Sequence, residues 1–325
     1  MGATGGRRIL VAIAGLVSLA TLIALASTPA SAPSPGLDYV ALGDSYSAGP
    51  LIPRQRLDAG LCLRSDHNYP SLAAAELRVT SFRDVTCTGL ATADLDEPVD
   101  TGLPGPPSPP PLAALHEGTD LVTLGIGGND GGFFSALFRT CPRLAHRDPA
   151  GSPCRAAYTG ADGSDELAAK VAVIGGRVEQ VLGEVHDRAP GAQVWVVGYP
   201  RVLPADGTCG AVPLAAGDYR WADALERDLD AALEKAADES GDHYLDLYGT
   251  STGHDACAGA DAWVNGNVES LRRAAAYHPL RSGMSAAARL LAAEVTAQET
   301  GQEIGQEIRQ DLGPDTGGAT GETPR

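Results

Sequence analysis

Short apolar runs bounded by turn-forming residues alternate along this chain with longer stretches of helical periodicity. The strand candidates are Tyr39–Leu42, Asp120–Ile126, Gln193–Val197 and His243–Leu247, with a weaker candidate at Ser81–Thr86. Apolar residues recur at three- and four-residue steps from Leu167 to Val185 and again from Trp221 to Leu233, which indicates two helices. This alternation is typical of parallel βαβ units, so we predict an α/β fold with helices on both faces of a parallel sheet of about five strands.

The loops that follow the predicted strands are where chemistry is expected, because ligands of open parallel sheets bind beyond the carboxyl ends of the strands. Three of these loops have unusual sequences: GDSYSAG from Gly43, GGNDGG from Gly127 and GTSTGHD from Gly249. Candidate catalytic groups are therefore expected in these three loops.

The N-terminal residues have the features of a secretory signal peptide. Arg7 and Arg8 precede an apolar run at about residues 9–26, and the ASA sequence at residues 30–32 provides a cleavage site. An uncleaved anchor is the alternative, because the run is near the lower length limit for a membrane-spanning helix. The cleavage site favours removal, and no later segment is apolar enough to span a bilayer. We therefore expect a secreted, extracellular protein without stable membrane insertion.

Three regions follow: a signal peptide at residues 1–32, one α/β domain at 33–296 and a polar tail at 297–325. The tail contains a Gly-Gln-Glu-Ile repeat and few apolar residues, so we predict that it is disordered. Loss of the signal peptide removes two arginines and moves the formal charge from −17 to −19. A chain with this negative charge repels nucleic acid and anionic membrane surfaces, so we do not expect either as a partner.

Six cysteines form an even set, which in an exported chain favours three disulfide bonds. Their spacing lacks the paired C-x-x-C pattern of a zinc site. We favour pairing between neighbours in chain order, because each bond would then clip one loop region. The predicted pairs are Cys62 with Cys87, Cys141 with Cys154, and Cys209 with Cys257.

Two serines follow predicted strands in glycine-rich settings. Ser45 lies in GDS at residues 43–45, where small neighbours would let a substrate carbonyl approach its hydroxyl. Ser251 lies in GTSTG at residues 249–253, which matches the G-x-S-x-G nucleophile elbow. That elbow needs a following helix, whereas the residues after it are rich in glycine and turn formers. Ser45 is therefore the favoured nucleophile.

An amide and an imidazole are candidates to assist the serine. Asn129 lies on a glycine-rich turn and is suited to donate a hydrogen bond to a developing oxyanion, although a helix cap is its alternative role. His278 is the favoured general base, because Pro279 disfavours helix there and leaves the imidazole on a loop, before a helical pattern that resumes at about Ser285. His254 is the competing histidine.

Four segments in chain order resemble the blocks of the SGNH (GDSL-type) hydrolase superfamily, and more closely its secreted actinobacterial lipase and esterase branch. They are GDSYSAG (43–49), CTGLATADL (87–95), LGIGGNDGGF (124–133) and YHP (277–279). GHDAC (253–257) and WVNG (263–266) resemble further segments of that branch. The resemblance implies a flavodoxin-like, doubly wound, three-layer α/β/α fold, and it favours the same sequential disulfides.

The resemblance also implies roles for individual residues. It makes Ser45 the nucleophile and His278 the base. It assigns the oxyanion hole to the backbone N–H groups of Ser45 and Gly89 and to the side chain of Asn129.

One position departs from the family pattern. The family usually has an aspartate three residues before the histidine, where this chain has Ala275. Members of the actinobacterial branch use a backbone carbonyl instead, so we expect the carbonyl of Ala275 or Ala276 to orient His278. An acid from elsewhere, such as Asp255 or Asp261, is the alternative.

Together these features predict a secreted serine esterase or lipase that cleaves carboxylic esters, including acyl lipids, through an acyl-enzyme on Ser45. A short-chain or carbohydrate acetylesterase and a phospholipase A-type enzyme are alternatives among hydrolases. An inactive binding protein on the same scaffold is the alternative from another class. The expected partner is a small-molecule or lipid ester, no metal or organic cofactor is implied, and we expect a monomer.

An apolar cluster follows the third block and has two interpretations. Phe133, Phe134, Leu137 and Phe138 have the spacing of a helix face that packs on the core, which is the favoured interpretation. Alternatively, they line a site for an acyl chain.

Overall fold

A parallel sheet of five strands forms the centre of the protein in a computed structural model, which describes residues 36–300. The strands are β1 Asp38–Gly43, β2 Ser81–Asp84, β3 Leu121–Gly125, β4 Gln193–Val197 and β5 His243–Leu245. Their order across the sheet is β2-β1-β3-β4-β5, and every neighbouring pair is parallel. This is the flavodoxin-like doubly wound order, and it confirms the predicted fold class.

Helices cover both faces of the sheet. They are α1 Ser45–Ala48, α2 Tyr69–Glu76, α3 Phe133–Ser135, α4 Cys141–Ala145, α5 Pro153–Ala157, α6 Glu166–Arg188, α7 Tyr219–Ser240, α8 Leu247–Thr250 and α9 Arg281–Thr300. A π-helical segment, Ala136–Thr140, joins α3 to α4. Short 3-10 helices lie at Leu57–Cys62, Thr92–Asp94, Pro111–Ala114, Asp130–Gly132, Ala216–Asp218 and Gly259–Asp261. Among residues 36–300, no helix has both the length and the apolar character needed to cross a bilayer.

The alternation of side chains along β1 divides the core into two layers. Val40 and Leu42 pack into a cluster with apolar residues of α6 and α7. Tyr39 and Ala41 point to the other face and pack with residues of α2 and α9. Because successive side chains of a strand point to opposite faces, β1 is buried on both sides, as its continuous apolar sequence indicates.

The bounds of β1, β2 and β3 differ from the sequence prediction by one or two residues, and the ends of β5 and α9 differ as well. The strand β5 ends at Leu245 rather than Leu247, because the Asp246 carboxylate accepts a hydrogen bond from the Gly249 N–H and caps α8. The last helix begins at Arg281 rather than about Ser285, and its first turn packs closely on Trp263. It continues to Thr300, four residues into the predicted tail. The predicted signal peptide and the rest of the tail lie outside the described residues.

Three disulfide bonds hold loops around the sheet. They join Cys62 to Cys87, Cys141 to Cys154, and Cys209 to Cys257, which are neighbours in chain order. The first bond links the segment before α2 to the loop that follows β2 and contains Gly89. A loop without regular structure is therefore tied covalently to a second segment at the carboxyl edge of the sheet.

Two acidic side chains of α7 are buried under the sheet. The Asp230 carboxylate accepts hydrogen bonds from the Tyr199 N–H at 2.8 Å and from the Tyr244 hydroxyl at 2.7 Å. Burial outweighs these bonds and raises the pKa of Asp230 to about 8. Burial likewise raises the pKa of Glu226 well above its ordinary value. Both carboxyl groups therefore favour the protonated form in the folded protein.

We expect the stability of the protein to fall as the pH rises from about 4 to about 8. In this window folded Asp230 keeps a proton that the unfolded chain, with an ordinary pKa of 3.8, has released. One such group contributes a slope of up to about 1.4 kcal/mol per pH unit. Asp230→Asn should reduce the slope, measured by urea unfolding at several pH values. Asp228→Asn, at an exposed acid of the same helix, is the control, and an equal reduction in both variants would contradict this assignment.

Candidate active site

The nucleophile candidate Ser45 is the first residue of α1, directly beyond the carboxyl end of β1. The helix is capped by Asp44, whose carboxylate accepts a hydrogen bond from the Tyr46 N–H at 2.8 Å. The first amide of a helix has no acceptor within the helix, so the Ser45 N–H is available to a ligand. Ser45 is only 6% exposed and lines a cleft of about 770 Å³.

His278 lies within hydrogen-bond reach of this serine. Its Nε2 is 2.8 Å from the Ser45 Oγ, although the two residues are 233 positions apart in the chain. Its Nδ1 is 2.7 Å from the carbonyl oxygen of Ala276. Because a carbonyl only accepts, Nδ1 must carry the proton, which leaves the lone pair of Nε2 to accept the serine proton.

The structure distinguishes between the two alanines that were expected to orient His278. The carbonyl of Ala276 contacts Nδ1, and the carbonyl of Ala275 does not. The Ala275 carbonyl accepts hydrogen bonds from Asn265 Nδ2 at 3.1 Å and from the His278 backbone N–H at 3.3 Å. Of the two predicted alternatives, Ala276 therefore holds the position next to Nδ1, while the Ala275 carbonyl is used to fold the loop.

No carboxylate of the described residues is hydrogen-bonded to the His278 imidazole. The Asp255 side chain accepts from the backbone N–H of Cys257 at 2.8 Å. Asp261 contributes its backbone carbonyl to Nδ1 of His254 at 2.6 Å. Neither acid takes the orienting position, and the group that contacts Nδ1 of His278 is the Ala276 carbonyl.

The competing candidates, Ser251 and His254, make contacts that hold the fold together and lie away from the cleft. Ser251 is fully buried, and its hydroxyl donates to the Tyr248 carbonyl and accepts from the Arg201 N–H. The His254 ring stacks on Trp263 with ring centroids 4.5 Å apart. Neither lines the cleft at Ser45.

Gly89 and Asn129 line the same cleft as Ser45 and His278. Gly89 has φ of +89°, a conformation that side chains disfavour, and a Cβ there would meet no atom within 4 Å, so its backbone is open to the cleft. The Asn129 side chain forms no helix-capping bond. Its Nδ2 donates one hydrogen to the Leu90 carbonyl at 2.9 Å, which leaves the second hydrogen for a ligand.

Asp130 connects the segments that carry these two residues, although it was not among the predicted site residues. Its buried carboxylate accepts from the Thr92 N–H at 3.0 Å and the Thr92 hydroxyl at 2.5 Å. Arg177 donates to the same carboxylate at 3.1 Å. Thr92 follows Gly89 and Asp130 follows Asn129, so this network fixes the two segments relative to each other.

Tyr199 connects the nucleophile segment to the Asn129 segment and was also missed. Its hydroxyl donates to Asp44 Oδ2 at 2.7 Å and accepts from the Gly128 N–H at 2.8 Å. Tyr199 lies just beyond the carboxyl end of β4. The expectation that functional groups lie in the loops after the strands therefore also applies to Tyr199. The hydroxyl links the residue before Ser45 to the residue before Asn129.

The His278 loop is held from two sides. Asn265 donates through Nδ2 to the carbonyl of Ala274 at 3.0 Å, and its backbone N–H donates to the His278 carbonyl at 2.9 Å. Tyr46 donates to the carbonyl of Tyr277 at 2.6 Å, and its ring centroid lies 5.2 Å from that of the imidazole. The imidazole is therefore oriented by packing as well as by Ala276.

Burial governs the electrostatics of the site. It lowers the pKa of His278, and the hydrogen bond to Ala276 only partly opposes the shift. It raises the pKa of Asp44 to about 7, against the hydrogen bonds from Tyr199 and the Tyr46 N–H. The site therefore favours a neutral imidazole, which is the form that can accept a proton.

The apolar cluster after the third block packs on the core and also borders the cleft. Phe133 and Leu137 are fully buried in the core. Phe134 and Phe138 line the cleft, where Phe138 stacks on Tyr277 with centroids 5.0 Å apart. Phe134 and Phe138 also pack on the core, so the helix-face interpretation is confirmed for the cluster, and these two residues in addition form an apolar wall beside Ser45.

In the part of the chain that the structure describes, no three Cys, His, Asp or Glu side chains are arranged to hold a metal ion.

A flavodoxin-like sheet with a serine–histidine pair at its carboxyl edge has the geometry of a serine hydrolase. Residues 41–286 match the GDSL-like Lipase/Acylhydrolase family. The chain is 40% identical to Lipase 2 of Streptomyces coelicolor over 270 residues, which cover 79% of this chain and 87% of that protein. It is 34% identical to a lipase of Streptomyces rimosus over 248 residues, which cover 76% and 82% of the two chains.

Solved structures give the same result. The crystal structure of phospholipase A1 from Streptomyces albidoflavus NA297 superposes with a TM-score of 0.64 at 30% identity, covering 80% of this chain and 99% of that one. The extracellular lipase from Streptomyces rimosus superposes with a TM-score of 0.63 at 31% identity, with the same coverage. The chain belongs to the GDSL-like lipase/acylhydrolase family and is a carboxylic ester hydrolase.

We expect Tyr199→Phe to lower kcat about tenfold with little change in KM, because Tyr199 links the two segments but does not line the cleft. Loss of the hydroxyl leaves the Gly128 N–H and an Asp44 oxygen without a partner, which should also cost about 2 kcal/mol of unfolding free energy. Steady-state kinetics and urea unfolding measure both effects. Tyr158→Phe is the control, since its hydroxyl has no partner among the described residues. A rise in KM with unchanged kcat would exclude this role.

We expect the acid limb of the pH profile of kcat/KM to have its midpoint below the ordinary histidine value of 6.5, because burial lowers the pKa of His278. Activity is lost as His278 gains a proton and can no longer accept one from Ser45. Rates on a soluble, uncharged ester from pH 4 to 9 measure the midpoint. A midpoint near pH 7 that disappears in Asp44→Asn would assign the limb to Asp44 instead.

Proposed function

We propose that this protein is a secreted serine esterase or lipase that hydrolyses acyl esters through an acyl-enzyme on Ser45. The observation that carries the proposal is the 2.8 Å contact between Ser45 Oγ and His278 Nε2 in the cleft that Gly89 and Asn129 also line. A nucleophile, its base and hydrogen-bond donors for an oxyanion then converge on one space.

In the proposed reaction, Ser45 Oγ attacks the ester carbonyl carbon while His278 Nε2 takes the hydroxyl proton. The carbonyl oxygen becomes an oxyanion that accepts hydrogen bonds from the Ser45 and Gly89 N–H groups and from Asn129 Nδ2. One such donor contributes about 3 to 4 kcal/mol to transition-state stabilisation. Protonated His278 then gives its proton to the leaving alkoxide, and the acyl group remains on Ser45.

Deacylation repeats the sequence with water. His278 takes a proton from water, the resulting hydroxide attacks the acyl carbon, and the proton returns to Ser45 Oγ as the acid leaves. The Ala276 carbonyl keeps the proton on Nδ1 and the ring in place. It stabilises the imidazolium less than a carboxylate would, because it carries no full charge.

Secretion is supported by three independent features. The N-terminal sequence has basic, apolar and small-residue parts in the order of a signal peptide. All six cysteines are in disulfide bonds, which persist in oxidising compartments. One similar solved structure is that of an extracellular lipase.

We propose that the substrates carry acyl chains rather than acetyl groups. Phe134, Phe138 and Tyr277 give one side of the cleft an apolar wall, and its volume of about 770 Å³ is large for an acetyl ester alone. Similarity to a phospholipase A1 makes phospholipids the second candidate class.

We expect hydrolysis of p-nitrophenyl esters from two to sixteen carbons to be fastest above the acetate and to be lost, by about a millionfold in kcat, in Ser45→Ala. The expected loss reflects removal of the nucleophile, and near-ultraviolet circular dichroism checks that the variant is folded. Ser251→Ala is the matched control at a serine away from the cleft and should retain turnover.

Two results would contradict the proposal. Full activity in Ser45→Ala with loss in Ser251→Ala would move the nucleophile to Ser251. A maximum at the acetate ester would favour a short-chain or carbohydrate acetylesterase. A serine-reactive phosphonate that labels the native chain but not Ser45→Ala would identify the nucleophile directly.

A further inference from the structure

The wall of the cleft next to Phe138 carries a row of basic side chains. Arg139, Arg143 and His146 all line the cleft that contains Ser45. They follow one another at steps of four and three residues, from the π-helical segment Ala136–Thr140 to the end of α4, so they lie on one side of the helical segment. We call these three residues the basic row.

The two arginines of the row have no protein counter-charge. Ten ion pairs join described side chains elsewhere, and none of them includes Arg139 or Arg143. No hydrogen bond of either guanidinium to residues 36–300 is present either. Glu269 is the one acidic residue among those that line the cleft. Both guanidinium groups are therefore free to bind an external anion.

The row is opposite in sign to the chain as a whole. The chain has 24 lysines and arginines against 41 acids, so acids outnumber basic residues. In the cleft the ratio is reversed, with Arg139 and Arg143 against Glu269. The net charge repels an anionic surface, whereas the field inside the cleft attracts a single anionic group. The row can therefore attract an anionic group of a substrate inside the cleft, although the chain as a whole is negatively charged.

The row also has a fixed position relative to the reaction. Phe134 and Phe138 immediately precede it and give the apolar wall, and Ser45 lines the same cleft. A substrate whose acyl chain lies on the apolar wall and whose ester lies at Ser45 places its alcohol portion elsewhere in the cleft. Arginine binds phosphate through two parallel N–H donors, so a phosphate on the alcohol portion fits this wall.

We propose that Arg139 and Arg143 form a subsite for the phosphate of the alcohol portion, so that the enzyme prefers phosphate-bearing acyl esters over uncharged ones. This inference rests on the proposed function, because it takes Ser45 as the reacting group. It makes the two arginines specificity-determining residues, and His146 adds a further donor at the end of the row.

The test compares two lipids with identical acyl chains as monomers below their micelle concentrations. Dihexanoyl phosphatidic acid carries a phosphate on its alcohol portion, and dihexanoylglycerol is the uncharged ester that lacks this phosphate. The expected result is a higher kcat/KM on the phosphatidic acid, and a ratio between the two that falls about tenfold in the double variant Arg139→Glu/Arg143→Glu. Arg139→Lys/Arg143→Lys should keep part of the ratio, because charge remains while the paired donors are lost.

The matched control is Arg147→Glu, at an exposed arginine of the same segment that does not line the cleft. It changes the net charge in the same direction and should leave the ratio unchanged. An equal fall in the ratio for Arg147→Glu would overturn the subsite, since overall charge would then be the cause. A change of less than about twofold in the double variant would also overturn it.

Binding separates this proposal from the proposed function. Calorimetry with the Ser45→Ala protein measures affinity for dihexanoyl phosphatidic acid without turnover, and addition of Arg139→Glu/Arg143→Glu should weaken it about tenfold. Retained hydrolysis in Ser45→Ala would sink the nucleophile assignment, while loss of binding in the charge variant would still support the subsite. Glycerol 3-phosphate that bound as tightly as the lipid would show an anion site without acyl recognition and overturn the substrate class.

Discussion

The pairing of β1 with β3 is the constraint on which the active site depends. It aligns Gly43 with Gly125, so the two strands end side by side, and the Asp44 N–H donates to the Gly125 carbonyl at 2.9 Å just beyond them. This is the point where the strand order reverses, and chains leaving β1 and β3 turn to opposite faces and leave a crevice. Ser45 and Asn129 face the same cleft because they lie at most four residues beyond these ends.

Polar contacts between loops convert that proximity into fixed geometry. Tyr199 connects Asp44 to Gly128, and Asp130 connects the Asn129 segment to Thr92. Both contacts bury a carboxylate, and burial raises the pKa of Asp44 to about 7. A buried carboxylate without hydrogen-bond partners would destabilise the fold. Asp44 and Asp130 avoid this cost because each accepts hydrogen bonds from a backbone N–H and a side-chain hydroxyl. The candidate catalytic groups are thus positioned by residues that do not line the cleft.

Much of the fold and of the candidate site could be predicted from local sequence. The strand Gln193–Val197 has the predicted bounds, and Ser45, Gly89, Asn129 and His278 all line one cleft. The parts that could not be predicted depend on contacts between distant residues. Asn265 holds the Ala275 carbonyl, which leaves Ala276 as the partner of His278, and no local pattern contains that choice. Phe133 and Phe134 are adjacent and equally apolar, yet one is fully buried in the core and only the other lines the cleft.

The sequence by itself determined the parallel sheet, the loops that carry the candidate site and the family to which the chain belongs. Apolar periodicity and turn residues are patterns of a few neighbouring positions, so they can be recognised in the sequence without the tertiary structure. Only the tertiary structure decided the orienting carbonyl, the role of Tyr199, the buried state of Asp230 and the place of Arg139 and Arg143 in the cleft. Each of these depends on contacts between residues that are distant in the chain, such as Ser45 and His278, which are 233 positions apart. Burial and hydrogen bonding depend on distances in the folded structure and not on separation along the chain.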